Sequence, residues 1–380
     1  MKIAMLGHKR IPSREGGVEI VVGRLAEKMS EMGHEVTVYN RKGAHVSLGN
    51  QEYEKKRYDY GKIHIVTVPT SQKKSLNAII YSFLATLRAI AGNYDIIHFH
   101  AEGPCSMIFL AKLFGKKTVA TIHGLDWQRA KWGGFATRFL LFGEKMAAKY
   151  ADEVIVLSHN VADYFEKTYH RKTIYIPNGI EEPVIREPNI IRHKWDVKGG
   201  DYFLFLARIV PEKGLHYLLN AYRNLDTDKK LVIVGGSSHS EEYYNEMKEL
   251  AKQDVRVIMT GFLQGEELEE WFSNAYAYIL PSDIEGMPIS LLEAMSYGNL
   301  CIVSDIPENT EVTGEWGLSF EKGNEESLRS RLADALKMNS EQYESFQKGA
   351  KESVLKRFCW DNTVEQTLEV YEKVQKRKKL

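Results

Sequence analysis

The sequence lacks most of the features that mark secreted, membrane-spanning or fibrous proteins. Its three cysteines, Cys105, Cys301 and Cys359, stand too far apart for a zinc-ligand spacing or a disulfide framework, which favours a reducing compartment. No stretch approaches the roughly 18 uninterrupted apolar residues of a membrane span. The apolar start at residues 2–7 is too short for a secretory signal. These absences predict a cytoplasmic protein.

The chain also lacks net charge, short-period repeats and low-complexity tracts. Lysine plus arginine and aspartate plus glutamate both number 51, so the formal net charge is zero and gives no whole-chain argument for nucleic-acid binding. What is present is an ordinary globular composition: 380 residues, 43% hydrophobic and 27% charged. That length and composition predict about two domains, each with its own core.

Strand and helix patterns alternate from the first residue. A short apolar strand at residues 2–7 and a polar loop precede a helical pattern over residues 18–32, and further strand signals with helical patterns between them continue to residue 176. This alternation predicts an α/β fold with a parallel, helix-covered sheet, whose ligands bind beyond the carboxyl ends of the strands.

A second alternating series begins near residue 202. Between the two series, residues 180–201 contain two prolines, many charges and no clear periodicity, which is typical of a linker and the edge of a new domain. The pattern predicts two Rossmann-like domains, residues 1–182 and 183–359, that face each other across a cleft.

The stretch from Pro281 to Gly298 has the strongest functional pattern. It follows a strand-like run, turns at Gly286 and enters a helix near Pro288, so the first amides of that helix are unpaired and favour an anion. Glu293 lies about 7.5 Å up the helix from Pro288. Because carboxylates only accept hydrogen bonds, Glu285 and Glu293 suit sugar hydroxyls on either side of a diphosphate. The alternative is an ordinary acidic helix start exposed to solvent.

A second phosphate pattern, A-R-I-V-P-E-K-G at residues 207–214, follows the first strand of the second series. Arg208, as a planar fork, and Lys213, as a point charge, are both able to reach a diphosphate and stabilise a leaving nucleotide. An exposed loop with two cations is the alternative. Gly16 and Gly17, before the first helix, allow close backbone approach to a ligand or mark a tight turn.

His123 ends a strand, where it is placed to bond a sugar hydroxyl or a reacting group, or to serve as a structural histidine. His98 and His100 point to one face of their strand, and with His123 they form a hypothetical metal site. We favour the absence of a metal, because no acidic ligand has suitable spacing. In addition, no Asp-x-Asp pair is placed at a strand end by the phosphate loop.

Five motifs in order resemble the retaining GT-B glycosyltransferases of family 4. They are G-G-V-E at 16–19, T-I-H-G at 121–124, P-N-G at 177–179, the 207–214 segment and E-G-M-P-I-S-L-L-E-A at 285–294. The resemblance covers nearly the whole chain. The segment L-D-W-Q-R-A-K-W at 125–132 further resembles rhamnosyltransferase-like members that build bacterial surface polysaccharide.

The resemblance implies specific roles. Arg208 and Lys213 would bind the donor diphosphate, Glu293 the nucleotide ribose, and Glu285 the transferred sugar together with the backbone of Gly286, Met287 and Pro288. It also implies that the last helix, about residues 360–380, crosses back onto the first domain. Many members have E-G-F-G or E-G-L-G where Met287 and Pro288 stand here, so the common relatives do not identify the sugar.

These patterns predict a metal-independent transferase without a cofactor, which moves a sugar, rhamnose or another hexose, from a nucleotide diphosphate sugar to an acceptor hydroxyl with retention. The expected acceptor is a lipid-linked oligosaccharide in capsule or other surface polysaccharide synthesis. A nucleotide-sugar epimerase on the same two-domain fold is the alternative, and a non-catalytic nucleotide-binding protein is a third possibility. Nucleic acid is not an expected partner.

Two segments of the first domain predict peripheral contact with the inner face of the cell membrane. Residues 72–92 and 131–149 both combine apolar helical positions, several of them aromatic, with lysines and arginines. Helices of this kind lie in the membrane interface, with their cations on anionic headgroups. The alternative is that the apolar faces only cover the sheet, as every helix of an α/β domain must.

Overall fold

The computed structural model describes residues 1–43, 55–71, 73–129, 133–237 and 240–377. The chain divides into two compact units, one formed by Met1–Asn178 with Trp360–Leu380 and the other by Gly179–Cys359. The sequence placed this boundary at residues 182/183. Gln72, Lys131 and Trp132, which belong to the predicted membrane segments, lie outside the described residues.

The first unit is built on an eight-stranded sheet. Its strands are β1 (Lys2–Leu6), β2 (Glu35–Arg41), β3 (Arg57–Tyr60), β4 (Ile63–Val68), β5 (Ile96–His100), β6 (Thr118–Ile122), β7 (Glu153–Val156) and β8 (Ile174–Tyr175). Their order is β3-β4-β2-β1-β5-β6-β7-β8, and every neighbouring pair is parallel except β3 with β4. The predicted parallel sheet is thus confirmed apart from this antiparallel edge strand, which is short and mostly exposed and has no strong apolar pattern.

Helices cover this sheet: α1 (Gly17–Glu31), α2 (Lys74–Ala91), α3 (Glu102–Cys105), α4 (Ile108–Leu113), α5 (Gly134–Tyr150) and α6 (His159–Tyr169). The α1 helix is typical, because its buried positions recur every three to four residues and include Val21, Val22, Leu25 and Met29. The apolar face of this helix therefore packs on the sheet, and its polar face is left to solvent.

The second unit has a six-stranded, wholly parallel sheet. Its strands are β9 (Tyr202–Leu206), β10 (Lys230–Val234), β11 (Val257–Gly261), β12 (Ala277–Leu280), β13 (Leu300–Ser304) and β14 (Gly317–Phe320). The order is β11-β10-β9-β12-β13-β14. Strand order reverses between β9 and β12, and in open α/β sheets the crevice at such a reversal is the usual ligand site.

The helices of the second unit are α7 (Ile190–Trp195), α8 (Leu215–Arg223), α9 (Glu241–Ala251), α10 (Glu266–Ser273), α11 (Ile289–Ser296), α12 (Pro307–Thr313), α13 (Glu325–Leu336) and α14 (Ser340–Arg357). The α7 helix lies within the segment that the sequence predicted to be a linker. It is six residues long, too short to show a helical period, and it is anchored by Glu270, whose carboxylate accepts from the amide of Ile191 at 3.0 Å.

The last helix, α15 (Trp360–Lys376), belongs to the first unit. The hydroxyl of Tyr371 lies 2.6 Å from Nδ1 of His98, Lys373 pairs with Glu153 at 2.9 Å, and Lys28 pairs with Asp361 at 2.8 Å. The return of the final helix to the first unit, which the resemblance implied, is present in the structure.

Candidate active site

Two loops of the second unit meet at the reversal of strand order. Strands β9 and β12 are parallel neighbours, with Phe203 opposite Ala277 and Leu204 opposite Tyr278, so their carboxyl ends lie at the same edge of the sheet. Arg208 comes two residues after β9, and the segment that begins at Pro281 follows β12 directly. The fold therefore brings together the two phosphate patterns found in the sequence.

Glycine is required where these loops touch. The loop after β9 forms a 3-10 turn at Pro211–Lys213 and then reaches Gly214, which has a φ of +68°. A Cβ atom at Gly214 would lie 2.0 Å from the carbonyl oxygen of Pro281. The amide of Asp283 donates to the carbonyl oxygen of Glu212 at 3.0 Å, which ties the loops together. A side chain at position 214 would separate them.

Lys213 and Glu285 form an ion pair across the two loops. Their side chains are only 16% and 7% exposed, so little water screens the pair. The hydroxyl of Ser282 donates to the same carboxylate oxygen, Oε1 of Glu285, at 2.7 Å. Two donors, the ammonium of Lys213 and the hydroxyl of Ser282, thus meet at one carboxylate oxygen of Glu285. The sequence analysis identified Lys213 and Glu285 but not Ser282.

Helix α11 starts close to the predicted position. Pro288 is its N-terminal capping residue, with φ −76° and ψ 104°, and no side chain caps the helix. The amides of Leu291 and Leu292 bond to the carbonyl oxygen of Pro288 at 3.1 and 3.2 Å. The helix start therefore keeps its partial positive charge beside the ion pair, as an oxyanion site needs.

The other predicted residues of this unit lie in the same region. Gly286, Met287 and Pro288 are buried in the turn before α11, Glu293 is half-buried in the body of that helix, and Arg208 is half-buried in the loop after β9. All the residues to which the resemblance assigns the donor thus lie on the loops after β9 and β12 or on α11.

In the first unit, the glycine pair has a local explanation. Helix α1 begins at Gly17, and Gly16 is extended. A Cβ atom at Gly16 would lie 2.2 Å from Oε2 of Glu19, whose Oε1 accepts from the amide of Lys9 at 2.8 Å. Gly16 therefore makes room for the Glu19 carboxylate at the helix start, and its contact with a ligand stays a prediction.

His123 directly follows β6 and belongs to a row of histidines. Its Nε2 lies 3.1 Å from Nδ1 of His100, whose ring contacts that of His98 with the ring centres 4.0 Å apart and the planes tilted by 35°. Desolvation lowers the pKa of His123 to about 4 and that of His98 to about 3. These rings are therefore neutral at neutral pH.

The hypothetical three-histidine metal site is not formed. His98 directs one ring nitrogen at the hydroxyl of Tyr371, at 2.6 Å, and the other at the hydroxyl of Thr121, at 2.7 Å, which leaves no nitrogen for a metal. Across the described parts of the chain, no group of three or more histidine, cysteine, aspartate or glutamate side chains is arranged to hold a metal ion.

Sequence reasoning missed a buried carboxylate that holds the loop after His123. Glu144 of α5 is fully buried and accepts from the indole of Trp127 at 3.1 Å and from the hydroxyls of Tyr164 and Tyr169 at 2.8 and 2.5 Å. Glu102 is equally buried beside it, and burial raises its pKa well above the usual range. These contacts join residues 17 to 25 positions apart, so no local pattern could indicate them.

Two family models match most of the chain. The model for glycosyl transferases group 1 matches residues 188–353, and that for glycosyltransferase family 4 matches residues 15–182. The epimerase alternative is therefore not favoured.

Individual proteins of known name are also similar to this chain. Alpha-maltose-1-phosphate synthase of Mycolicibacterium smegmatis is 26% identical over 98% of the chain and 100% of its own length. O-antigen chain mannosyltransferase C of Escherichia coli is 27% identical over 79% of the chain and 78% of its own length. A crystal structure of Anabaena HepE in complex with UDP-glucose superposes with a TM-score of 0.79 at 17% identity, covering 98% of this chain and 100% of that one.

Proposed function

This chain belongs to glycosyltransferase family 4 and has the GT-B fold, and we propose that it transfers a sugar, rhamnose or another hexose, from a nucleotide diphosphate donor to an acceptor hydroxyl with retention and without a metal. One observation carries the proposal. Two cationic side chains and an uncapped helix start lie on loops after neighbouring parallel strands, where the strand order reverses. This arrangement matches the charge of a leaving nucleotide diphosphate.

The two cationic side chains and the start of α11 both stabilise the negative charge of the diphosphate. Arg208 offers a planar fork of donors and Lys213 a compact charge, and both stabilise the negative charge that develops when the sugar departs. The backbone of Gly286, Met287 and Pro288 adds the positive end of the α11 dipole. Together these groups supply the electrostatic stabilisation that a metal ion provides in other transferases.

The two carboxylates select hydroxyl groups of the donor. Glu285, at the turn before α11, accepts from the transferred sugar, and Glu293, within the helix, accepts from the ribose. In the first unit, neutral His123 forms a hydrogen bond with the transferred sugar or with a reacting group, while Gly16 and Gly17 allow close approach of the backbone to the donor. A neutral imidazole suits this role, because it donates at one nitrogen and accepts at the other.

A panel of UDP-, GDP-, ADP- and dTDP-sugars tests the activity. Release of the nucleotide diphosphate is expected for the true donor, whereas an epimerase would conserve the nucleotide sugar and a passive binder would leave it unchanged. The one-bond C1–H1 coupling at the anomeric carbon of the product, compared with the anomeric configuration of the donor, then reports retention or inversion. Activity should persist in chelator, and loss of activity with rescue by magnesium or manganese would contradict metal independence.

We further propose a lipid-linked oligosaccharide as acceptor and peripheral attachment at the inner face of the membrane. The relative that builds O-antigen chains supports a surface polysaccharide. The first unit exposes large apolar side chains on three helices or their ends: Leu76, Phe83, Leu87, Leu113, Phe114, Phe135 and Phe142. Within the described residues, no helix is both long and apolar enough to cross a membrane.

Basic side chains stand among the exposed apolar ones. Arg88, Arg138 and Lys145 belong to α2 and α5, the helices that carry Phe83 and Phe142. Exposed aromatic side chains with neighbouring cations are the composition that binds an anionic lipid interface. The first unit therefore has the surface expected of the side that meets a lipid-linked acceptor.

A further inference from the structure

Both protein donors to Glu285 bond to the same oxygen of its carboxylate. The hydroxyl of Ser282, at 2.7 Å, and the ammonium of Lys213 both contact Oε1. A carboxylate has two oxygens and about four acceptor positions. Oε2 accepts no hydrogen bond from any residue that the structure describes. One oxygen is thus held by the protein, and the other is left for a ligand hydroxyl.

Ser282 is itself held firmly. It follows β12 and is fully buried, and its carbonyl oxygen accepts from the hydroxyl of Ser304 at 2.5 Å. Ser304, the last residue of the neighbouring strand β13, accepts in turn from the side-chain amide of Asn309 at 3.0 Å. Ser304 and Asn309 are fully buried as well. The Ser282 hydroxyl therefore projects from a rigid strand end with its direction already set.

The two donors differ in what a diphosphate would do to them. In the proposed function Lys213 contacts the donor diphosphate, and a phosphate oxygen competes with Glu285 for its ammonium. Ser282 is neutral and buried, so a bound diphosphate attracts its hydroxyl much less strongly than it attracts an ammonium group. The hydrogen bond from Ser282 to the carboxylate is therefore retained. Only the serine is in a position to keep Oε1 engaged while the donor is bound.

We propose that Ser282 is a positioning residue, which holds Oε1 of Glu285 so that Oε2 faces the transferred sugar. This inference rests on the proposed function, in which Glu285 contacts that sugar. Without the serine, the carboxylate is free to rotate, and its preference for one sugar hydroxyl weakens. The donor nucleotide is contacted by other groups, so its binding should be unaffected.

Ser282→Ala tests this with the nucleotide sugar that gives turnover in the panel. We expect kcat/KM for that donor to fall roughly ten- to hundredfold, as for loss of one hydrogen bond to a charged group. The dissociation constant of the free nucleotide diphosphate should stay within about twofold of wild type, the margin expected when no contact to it is lost. Ser282→Thr, which keeps the hydroxyl, should recover activity.

A matched control and a double variant separate positioning from a general structural role. Ser296→Ala removes another buried hydroxyl, which donates to the backbone carbonyl of Glu293 at 2.7 Å, and should leave kcat/KM near wild type. In a Glu285→Ala background, Ser282→Ala should cause no further loss of affinity for the nucleotide sugar. If the threonine variant does not fold, this comparison of single and double variants still tests whether Ser282 acts through Glu285.

The outcomes distinguish two kinds of failure. If Glu285→Ala weakens sugar-dependent binding and Ser282→Ala does not, the positioning role is wrong and the proposed function stands. An additive loss in the double variant also contradicts positioning through Glu285. If Glu285→Ala itself changes neither donor affinity nor turnover, the assignment of Glu285 to the sugar fails first.

Discussion

The two units share one fold type but use titratable groups in opposite ways. The first unit buries His8, His98, His100 and Glu102 almost completely, and burial shifts each pKa toward the neutral form. Within the unit, His98 forms hydrogen bonds with two hydroxyl groups, and His8 forms one with an asparagine side chain. The first unit therefore uses its buried histidines as uncharged hydrogen-bonding groups.

The second unit places an ion pair at the edge of its sheet. Lys213 pairs with Glu285 there, and the core behind them is apolar and aromatic, with Phe203, Phe205 and Tyr222 fully buried. This difference is consistent with the proposed function, in which the second unit binds the charged nucleotide diphosphate, whereas the first unit is built around uncharged hydrogen-bonding groups. The first unit should consequently be sensitive to acid, and the second unit to the loss of charged side chains at its sheet edge.

The largest expected effect is acid unfolding of the first unit before the second. Burial lowers the pKa of His8 and His123 from 6.5 to about 4, and that of His98 from 6.5 to about 3. The unfolded chain then binds more protons, so the stability that these groups contribute is present above about pH 6.5 and is lost as the pH falls toward 4. The full shift amounts to about 3 kcal/mol for His8 and for His123, and to about 5 kcal/mol for His98.

Pulsed amide hydrogen exchange, followed peptide by peptide, resolves the two units. Near pH 4.5 we expect peptides of the first unit to lose protection while those of the second unit keep it. His8→Gln should flatten the pH dependence of the first unit, whereas His216→Gln, in the second unit, should leave it unchanged. Simultaneous loss of protection in both units would contradict the prediction that the first unit unfolds in acid before the second.

The next effect concerns the charged loops of the second unit. Arg208→Ala and Lys213→Ala should each slow transfer by about 10² or more, as expected for loss of a charge contact in the transition state. Arg329→Ala is the control, because that side chain forms only an exposed pair with Glu326 at 2.6 Å. Steady-state kinetics measure this effect. Near-normal turnover in both loop variants would contradict the assignment of Arg208 and Lys213 to the donor diphosphate.

A related pair of variants separates the two carboxylates. Glu285→Gln should weaken binding of the nucleotide sugar while binding of the nucleotide diphosphate stays close to wild type. Glu293→Gln should weaken both, because its proposed contact is the ribose. Calorimetric titration with each ligand measures the difference, and equal effects on nucleotide binding would show that the two roles are misassigned.

A smaller effect is expected at the buried acid pair of the first unit. The raised pKa of Glu102 means that the folded state keeps a proton which the unfolded state releases above its ordinary pKa of 4.5, so stability declines as the pH rises from there. Glu102→Gln cannot ionise and has nearly the same size and shape as the protonated acid. Thermal unfolding at pH 8 should therefore occur at a higher temperature than in wild type, by roughly 2–4 °C per kcal/mol.

Glu144→Gln is the matched opposite. It weakens the acceptor for Trp127, Tyr164 and Tyr169, so it should lower the unfolding temperature at every pH. If Glu102→Gln also lowers the unfolding temperature equally at pH 5 and pH 8, Glu102 does not carry the proton that its burial implies.

The smallest effect per residue concerns the membrane. Vesicles with anionic lipid should sediment the protein at low salt, and neutral vesicles or high salt should release it, with each cation contributing about 1 kcal/mol. Phe83→Gln with Phe114→Gln should reduce binding. Val255→Gln, which changes a 98% exposed residue of the second unit, should not. Protein that stays in the supernatant with anionic vesicles at low salt would favour a soluble acceptor.

Local sequence patterns predicted the long strands and helices of both units well and the short elements poorly. Long apolar strands followed by helical periods identified both sheets, and the helix starts predicted at Val18, Pro288 and Trp360 each lie within one residue of a helix start in the structure. The strands β3 and β14 and the helix α7 were missed, because all three are too short to show a clear period of apolar residues. Short elements of this kind are stabilised by their neighbours rather than by their own sequence.

The sequence by itself determined the two α/β units and the placement of Arg208, Lys213 and Glu285 after strand ends, because the positions of strands and loops along the chain follow from local periodicity. The family followed from the resemblance of five motifs in order. Only the tertiary structure decided that Lys213 meets Glu285 across 72 positions, that Ser282 holds the same oxygen, and that the histidine row is neutral. Hydrogen-bond partners and pKa shifts depend on distance and burial in space. Neither quantity is recorded in the order of residues along the chain.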